Sequence, residues 1–117
     1  MSDLEILAQT AARRDSLQLR ALTLEFLQNH KILVHIMMPS IEDQKLLAIA
    51  AGLLELFATR TKQEAPAWVD TIGSTEPFFL VAAAERMPRL RELCLTQSPP
   101  ELQKYGLYAP PNFLEFA

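Results

Sequence analysis

Leu46-Leu-Ala-Ile-Ala-Ala-Gly-Leu-Leu-Glu-Leu-Phe-Ala58 is the stretch that decides the fold. Leu46, Ala50, Leu53 and Phe57 recur at helical spacing, and Leu47, Ala51, Leu54 and Ala58 form the stripe beside them. Two adjacent apolar stripes cannot both face water. The segment therefore predicts the central helix of a bundle, with Leu46, Leu47, Ala50, Leu53, Leu54 and Phe57 largely buried. Gly52 interrupts it at a cost of about 1 kcal/mol relative to alanine, which points to a close crossing with another element. Ser40 with Asp43 resembles an N-terminal cap, and Pro39 disfavours helix just before it.

Towards the N-terminus, Ser2 and Glu5 match a capping box opening a helix through Leu4, Leu7, Ala8 and Ala11. Asp15 and Gln18 suit a second cap, so 3–29 reads as one bent helix or two. Leu17, Ala21, Leu24 and Leu27 recur at helical spacing with Leu19, Leu22 and Phe26 beside them, which predicts a helix buried on more than one side. Residues 31–38 (Lys-Ile-Leu-Val-His-Ile-Met-Met) have the β-branched content of a strand without a clear partner strand, and read equally as an extended connector or a helical continuation.

Towards the C-terminus the elements shorten and prolines punctuate them. Thr75-Glu-Pro77 suits the start of a helix through Phe78, Leu80, Val81 and Ala84. Pro88 suits the first position of another, ahead of Leu90, Leu93, Cys94 and Leu95. Ser98-Pro-Pro-Glu101 combines the features of a helix start, with Gly106 as its C-cap, and predicts two turns. The chain then runs Ala109-Pro-Pro-Asn-Phe-Leu-Glu-Phe-Ala117. Such an aromatic, proline-stiffened end is expected to dock, on the core or on a partner.

Composition limits the function classes. At 117 residues the chain suits one domain with a real core, and its 50% hydrophobic content argues against intrinsic disorder. Three glycines are too few for a turn-rich sandwich or barrel. A net charge of −3 disfavours nucleic-acid binding through overall charge. The lone Cys94 removes any intramolecular disulfide and fits a reducing compartment. The start lacks signal-peptide features, and no apolar run reaches the roughly 18 residues of a membrane span. A cytoplasmic location without membrane insertion is expected.

The chemistry-bearing residues favour no enzyme. His30 and His35, five apart, converge on neither a helix nor a strand face, and one cysteine and no H-E-x-x-H leave no metal or cofactor site visible. Cys94 between two leucines suits a small buried hydrophobe better than a nucleophile. Asp70 beside Trp68 is the one pair suited to general-acid geometry. Arg86, Arg89 and Arg91, like Arg13, Arg14 and Arg20, offer phosphate or nucleic-acid contacts, yet Glu85, Glu92 and Asp15 flank them as on a solvated face. Trp68, Phe78, Tyr105, Tyr108, Phe113 and Phe116, an aromatic load large for such short elements, are with Leu114 the candidate partner-binding residues.

Five motifs recur in order from Pro66: Pro66-x-Trp-Val69, Pro77-Phe-Phe79, Leu90-Arg-Glu-Leu93, Ser98-Pro-Pro-Glu-Leu102 and the terminal run Ala109–Ala117. Together with Leu19-Arg-Ala-Leu-Thr-Leu-Glu-Phe-Leu27, this order resembles a group of small helical bacterial proteins. Members of that group are encoded beside nucleotidyltransferase-like proteins in toxin–antitoxin-like arrangements. The resemblance implies a non-enzymatic, antitoxin-like subunit with a nucleotidyltransferase-like protein as partner, and transfers no catalytic residue. The expected fold is all-α: a small helical bundle of one domain over 1–117, with long helices in 1–62 and short helices and turns in 63–117. The expected function is protein–protein binding. A nucleic-acid-binding adaptor using an arginine cluster is the first rival, and a small enzyme with a pocket near Trp68, using Asp70 or Cys94, is the second. Self-association stays open.

Overall fold

Ser2 opens the first helix by accepting a hydrogen bond from the Glu5 amide at 3.1 Å, satisfying one of the donors that a helix start leaves unpaired. In the computed structural model, which describes residues 2–115, this helix is α1 (Asp3–Ala12). It ends where Arg14 takes a left-handed conformation (φ 59°), and Asp15 starts α2 (Ser16–Asn29) by accepting from the Gln18 amide. The N-terminal helical region is thus two helices. Asp43, and not Ser40, caps α3 (Gln44–Arg60), accepting from both the Lys45 and Leu46 amides.

α3 is the centre of the molecule, packed against α1 on one side and the C-terminal elements on the other. Leu47, Ala50, Leu53, Leu54 and Phe57 are buried, while Leu46, in the first turn, is half-buried against the core. Gly52 marks the anticipated close approach: a Cβ there would lie 2.8 Å from Leu107 Cδ1 and 3.3 Å from Leu102 Cδ2.

α2 departs from the sequence expectation. Its buried face is Leu19, Thr23 and Phe26, whereas Leu17 is 83% exposed and Ala21 and Leu24 face outwards. α2 packs against α1, and a helix with apolar residues all round buries only the side its neighbours cover.

The C-terminal half is less helical than anticipated. Residues 78–79 form a strand, β1 (Phe78–Phe79), parallel to β2 (Leu107–Tyr108), where a helix through Phe78 was expected. Pairing with a distant segment supplies the backbone partners here: the Phe78 amide donates to Gly106 O and the Leu80 amide to Tyr108 O. A 3-10 turn, Ala82–Glu85, leads to α4 (Pro88–Gln97), which starts at the expected proline. α5 (Pro100–Gln103) is one turn, not two. The Ser98 hydroxyl does not cap it; it accepts from the Ala109 amide at 2.8 Å and is drawn to the C-terminal strand. The described residues are therefore mostly helical with a minimal parallel sheet, so all-α holds only approximately.

The end of α3 gives a stability prediction. Lys62 sits in the left-handed region (φ 58°), with its amide on Thr59 O and the following Gln63 amide on Ala58 O. Lys62 is exposed, so Lys62→Gly removes backbone strain without removing packing. It is expected to raise stability by about 0.5–1 kcal/mol, the αL relief exceeding glycine's unfolded-state entropy. Urea denaturation showing a loss of stability would refute this account of the cap.

Candidate functional site

The aromatic residues singled out in the sequence, with Leu114, do not form one exposed patch. Tyr105 and Phe113 are buried, Trp68, Phe78, Tyr108 and Leu114 are half-buried, and Phe116 lies outside the described residues. Trp68 donates from its indole nitrogen to Ile36 O at 2.9 Å, fastening the 31–38 segment to the body. Tyr108 stacks at a tilt on Phe79, 5.9 Å between ring centroids. Phe113 is fixed at its backbone: its amide donates to Pro110 O, and its carbonyl accepts from the Arg60 guanidinium, which also reaches Pro111 O. Desolvation lowers the Arg60 pKa from its ordinary value.

The polar groups form structural ties. Lys104 Nζ donates to Glu55 Oε1 at 2.7 Å and to Asp70 Oδ1 at 2.8 Å, joining the segment after α5 to α3 and to the 3-10 turn Ala67–Thr71. The Tyr105 hydroxyl donates to Val69 O at 2.7 Å and lies 3.0 Å from Glu55 Oε1. Hydrogen bonding to Asp70 and then to Glu55 raises the Lys104 pKa. The hydrogen bond from Lys104, followed by its charge, lowers that of Asp70. Burial, then the Glu55 charge, raises that of Tyr105. Asp70 thus faces Lys104, while the neighbouring indole of Trp68 is turned to Ile36. Cys94 is buried beneath Phe79 and Ala84, and burial raises its thiol pKa, away from the thiolate a nucleophile needs.

The arginines are also dispersed. Arg86 is exposed on the turn before α4, Arg89 shares a shallow groove with Glu92, and Arg91 lies over the Phe79 ring, 5.0 Å from its centroid. Arg14 lies over Phe78 at 4.6 Å and pairs with Glu85 at 2.6 Å, and Lys45 lies over the same Phe78 ring at 3.8 Å. Among the described residues no three His, Cys, Asp or Glu side chains are grouped to hold a metal ion, and no helix is long and apolar enough to cross a membrane.

A run of exposed apolar side chains lies elsewhere, on the segment 31–38, whereas the other exposed apolar residues, such as Leu17, Met87 and Leu95, are spread over separate elements. Residues 31–38 form an extended connector around one 3-10 turn, Leu33–His35. Leu33 is buried and its amide donates to Gln63 Oε1, but Ile32 (61%), Val34, Met37 (85%) and Met38 are exposed. Two clefts lie in this region, and the connector lines the first of them. One, of about 340 Å³, is lined by Phe26, Ile32, Ile36 and Met37 together with Asp3, His30 and His35. The other, of about 150 Å³, lies between α1 and α2 over Ile6, Leu22 and Phe26. Asp3 and Phe26 belong to both, and His30 Nε2 lies 3.0 Å from Asp3 Oδ2. The signal for this surface was present in the sequence as an apolar run, but its exposure follows from tertiary placement.

Comparison with protein families, with curated proteins and with solved structures finds no match for this chain.

Proposed function

We propose that this chain is a non-enzymatic protein-binding module, an antitoxin-like subunit of a bacterial pair, working in the cytoplasm and meeting its partner through the 31–38 connector. Its long N-terminal helices form the bundle that presents this surface, and the short α5, with the 3-10 turn Ala67–Thr71, packs on α3. The observation that carries the reading is the exposure of Ile32, Val34, Met37 and Met38 together, beside a largely apolar cleft that Ile32, Ile36 and Met37 line. Grouped exposed apolar side chains favour association, and methionines adapt to a partner's shape. The polar groups of Asp70, Glu55, Lys104 and Tyr105 are engaged with one another, which supports binding over catalysis.

The test is a double substitution, Ile32→Glu with Met37→Glu. Both side chains are exposed, so stability should change by no more than about 0.5 kcal/mol per site. Co-purification with the nucleotidyltransferase-like protein that the family resemblance implies, co-expressed from the neighbouring gene, should be lost. Retention of that complex by a stable double variant would refute the connector as the interface. A gel shift with DNA or RNA that disappears on changing Arg86, Arg89 and Arg91 to glutamine would favour the nucleic-acid reading instead.

A further inference from the structure

We infer that the cleft between α1 and α2 receives a lysine or arginine side chain of the protein partner, whose neighbouring apolar side chains settle on the connector. The inference rests on the binding reading above and adds the chemistry of the partner to it.

The cleft has an apolar floor of Ile6, Leu22 and Phe26, and its charged lining residues are Asp3 and Glu25, both carboxylates. No cation lines it. A long basic side chain matches that division, because its methylene stem covers apolar surface while its charged end stays at the wetter rim. Asp3 remains 59% exposed although it faces His30, and Glu25 is exposed on α2, so both carboxylates are reachable. The two do not contribute equally. Asp3 sits in the first turn of α1, where the helix dipole offsets part of its charge. Glu25 lies in the interior of α2, away from the positive end of that helix dipole. A partner carboxylate placed here would meet like charge, so the cleft discriminates by repulsion as well as attraction.

The connecting observation is continuity. The second cleft shares Asp3 and Phe26 with the first and is walled by Ile32, Ile36 and Met37. One segment can therefore place a basic side chain between Asp3 and Glu25 and an apolar one against Met37. This is the pattern of a basic amphipathic helix, with anchors on one face.

The probe is a synthetic Leu/Lys amphipathic helix of about 18 residues, five turns long, with a Leu/Glu helix of the same pattern as its counterpart. Each is titrated into the isotopically labelled full chain and followed by amide chemical shifts. The Leu/Lys peptide should perturb Asp3, Ile6, Leu22, Glu25, Phe26 and Met37, and the Leu/Glu peptide should not. Asp3→Asn with Glu25→Gln should weaken binding about tenfold, since charge-assisted contacts are lost, whereas Glu64→Gln with Glu101→Gln, an equal charge change elsewhere, should leave it unaltered. The proposal is overturned by shifts mapping elsewhere, by no binding, or by equal loss in the control variant, which would indicate general charge attraction. Equal binding of the Leu/Glu peptide would overturn it while leaving the connector reading intact. Concentration-dependent shifts of the same amides without peptide would assign the cleft to a second copy of this chain and overturn it too.

Discussion

Phe113→Ala is expected to lower the stability of the isolated chain by about 3–5 kcal/mol, the range for truncating a buried aromatic ring. The ring is 8% exposed and belongs to the same core cluster as Phe57 and Leu54. Its position is imposed from several sides. Pro110 and Pro111 narrow the conformations of the unfolded segment, reducing the entropy lost on docking. The Phe113 amide closes a turn on Pro110 O, and Arg60 grips the Phe113 carbonyl from α3. Removal of the ring leaves a cavity that this tethered segment cannot collapse to fill. Chemical denaturation of the purified chain, with no partner present, is the measurement. A loss under about 0.5 kcal/mol, the size of a neutral surface substitution, would show that Phe113 is not a core residue and would return it to the partner-binding set. Because the assay contains no partner, the result separates closure of the core from recognition.

The expectations that held share a physical basis: the information lay within a few residues. The two stripes of α3, the caps at Ser2 and Asp15, and Pro88 at the start of α4 are all local signals, and all appear in the structure. α2 shows where locality fails. Leu17, Ala21, Leu24 and Leu27 make as good a stripe as the true one, and Thr23 in the middle of the buried face disguises Leu19–Phe26 as mixed. Only the positions of α1 and α3 choose between them. β1 is a stronger case. Two residues carry no periodicity, and the partner Leu107–Tyr108 is remote in the chain, so nothing near Phe78 announces a strand.

The site followed the same division. The aromatic residues were legible as anchors, but whether an anchor turns inwards depends on contacts such as Tyr105 to Val69 O and Trp68 to Ile36 O. The connector was legible as apolar, and its exposure was not. It is held at Leu33 and Ile36, and the side chains between and beyond those ties are left facing out. Ser98 makes the same point in a polar group. Its sequence context is that of a helix cap, yet the backbone of Ala109 offers it a buried partner and takes it away from α5.

Gly106→Ala should cost about 2–5 kcal/mol, combining the penalty of a left-handed non-glycine residue with the strain of displaced packing. Gly106 has φ +80°, and a Cβ built on it would lie 2.4 Å from Thr75 O, a backbone atom. Thr75 cannot retreat freely, because its amide donates to Tyr105 O at 2.9 Å. Gly106 O in turn accepts from the Phe78 amide at 3.0 Å, so movement at the turn disturbs the register Phe78↔Leu107. Gly52→Ala offers an internal comparison. Its Cβ would come within 2.8 Å of Leu107 Cδ1, a side-chain end that can shift by rotation, and its backbone is ordinary helix. The glycine with the larger cost is therefore the one in the turn, not the one in the most tightly packed helix. Denaturation curves for both variants give the order, and hydrogen exchange at Phe78 and Leu80 reports the strand pairing directly. Gly106→Ala should lose protection at both amides. Gly52→Ala should retain it, since its strain falls on side chains and leaves the backbone ladder in place. If the two variants prove equally stable with protection unchanged, the Thr75–Gly106 contact is not a constraint, and the parallel pairing of β1 with β2 must rest on the packing of Phe79 and Tyr108 alone.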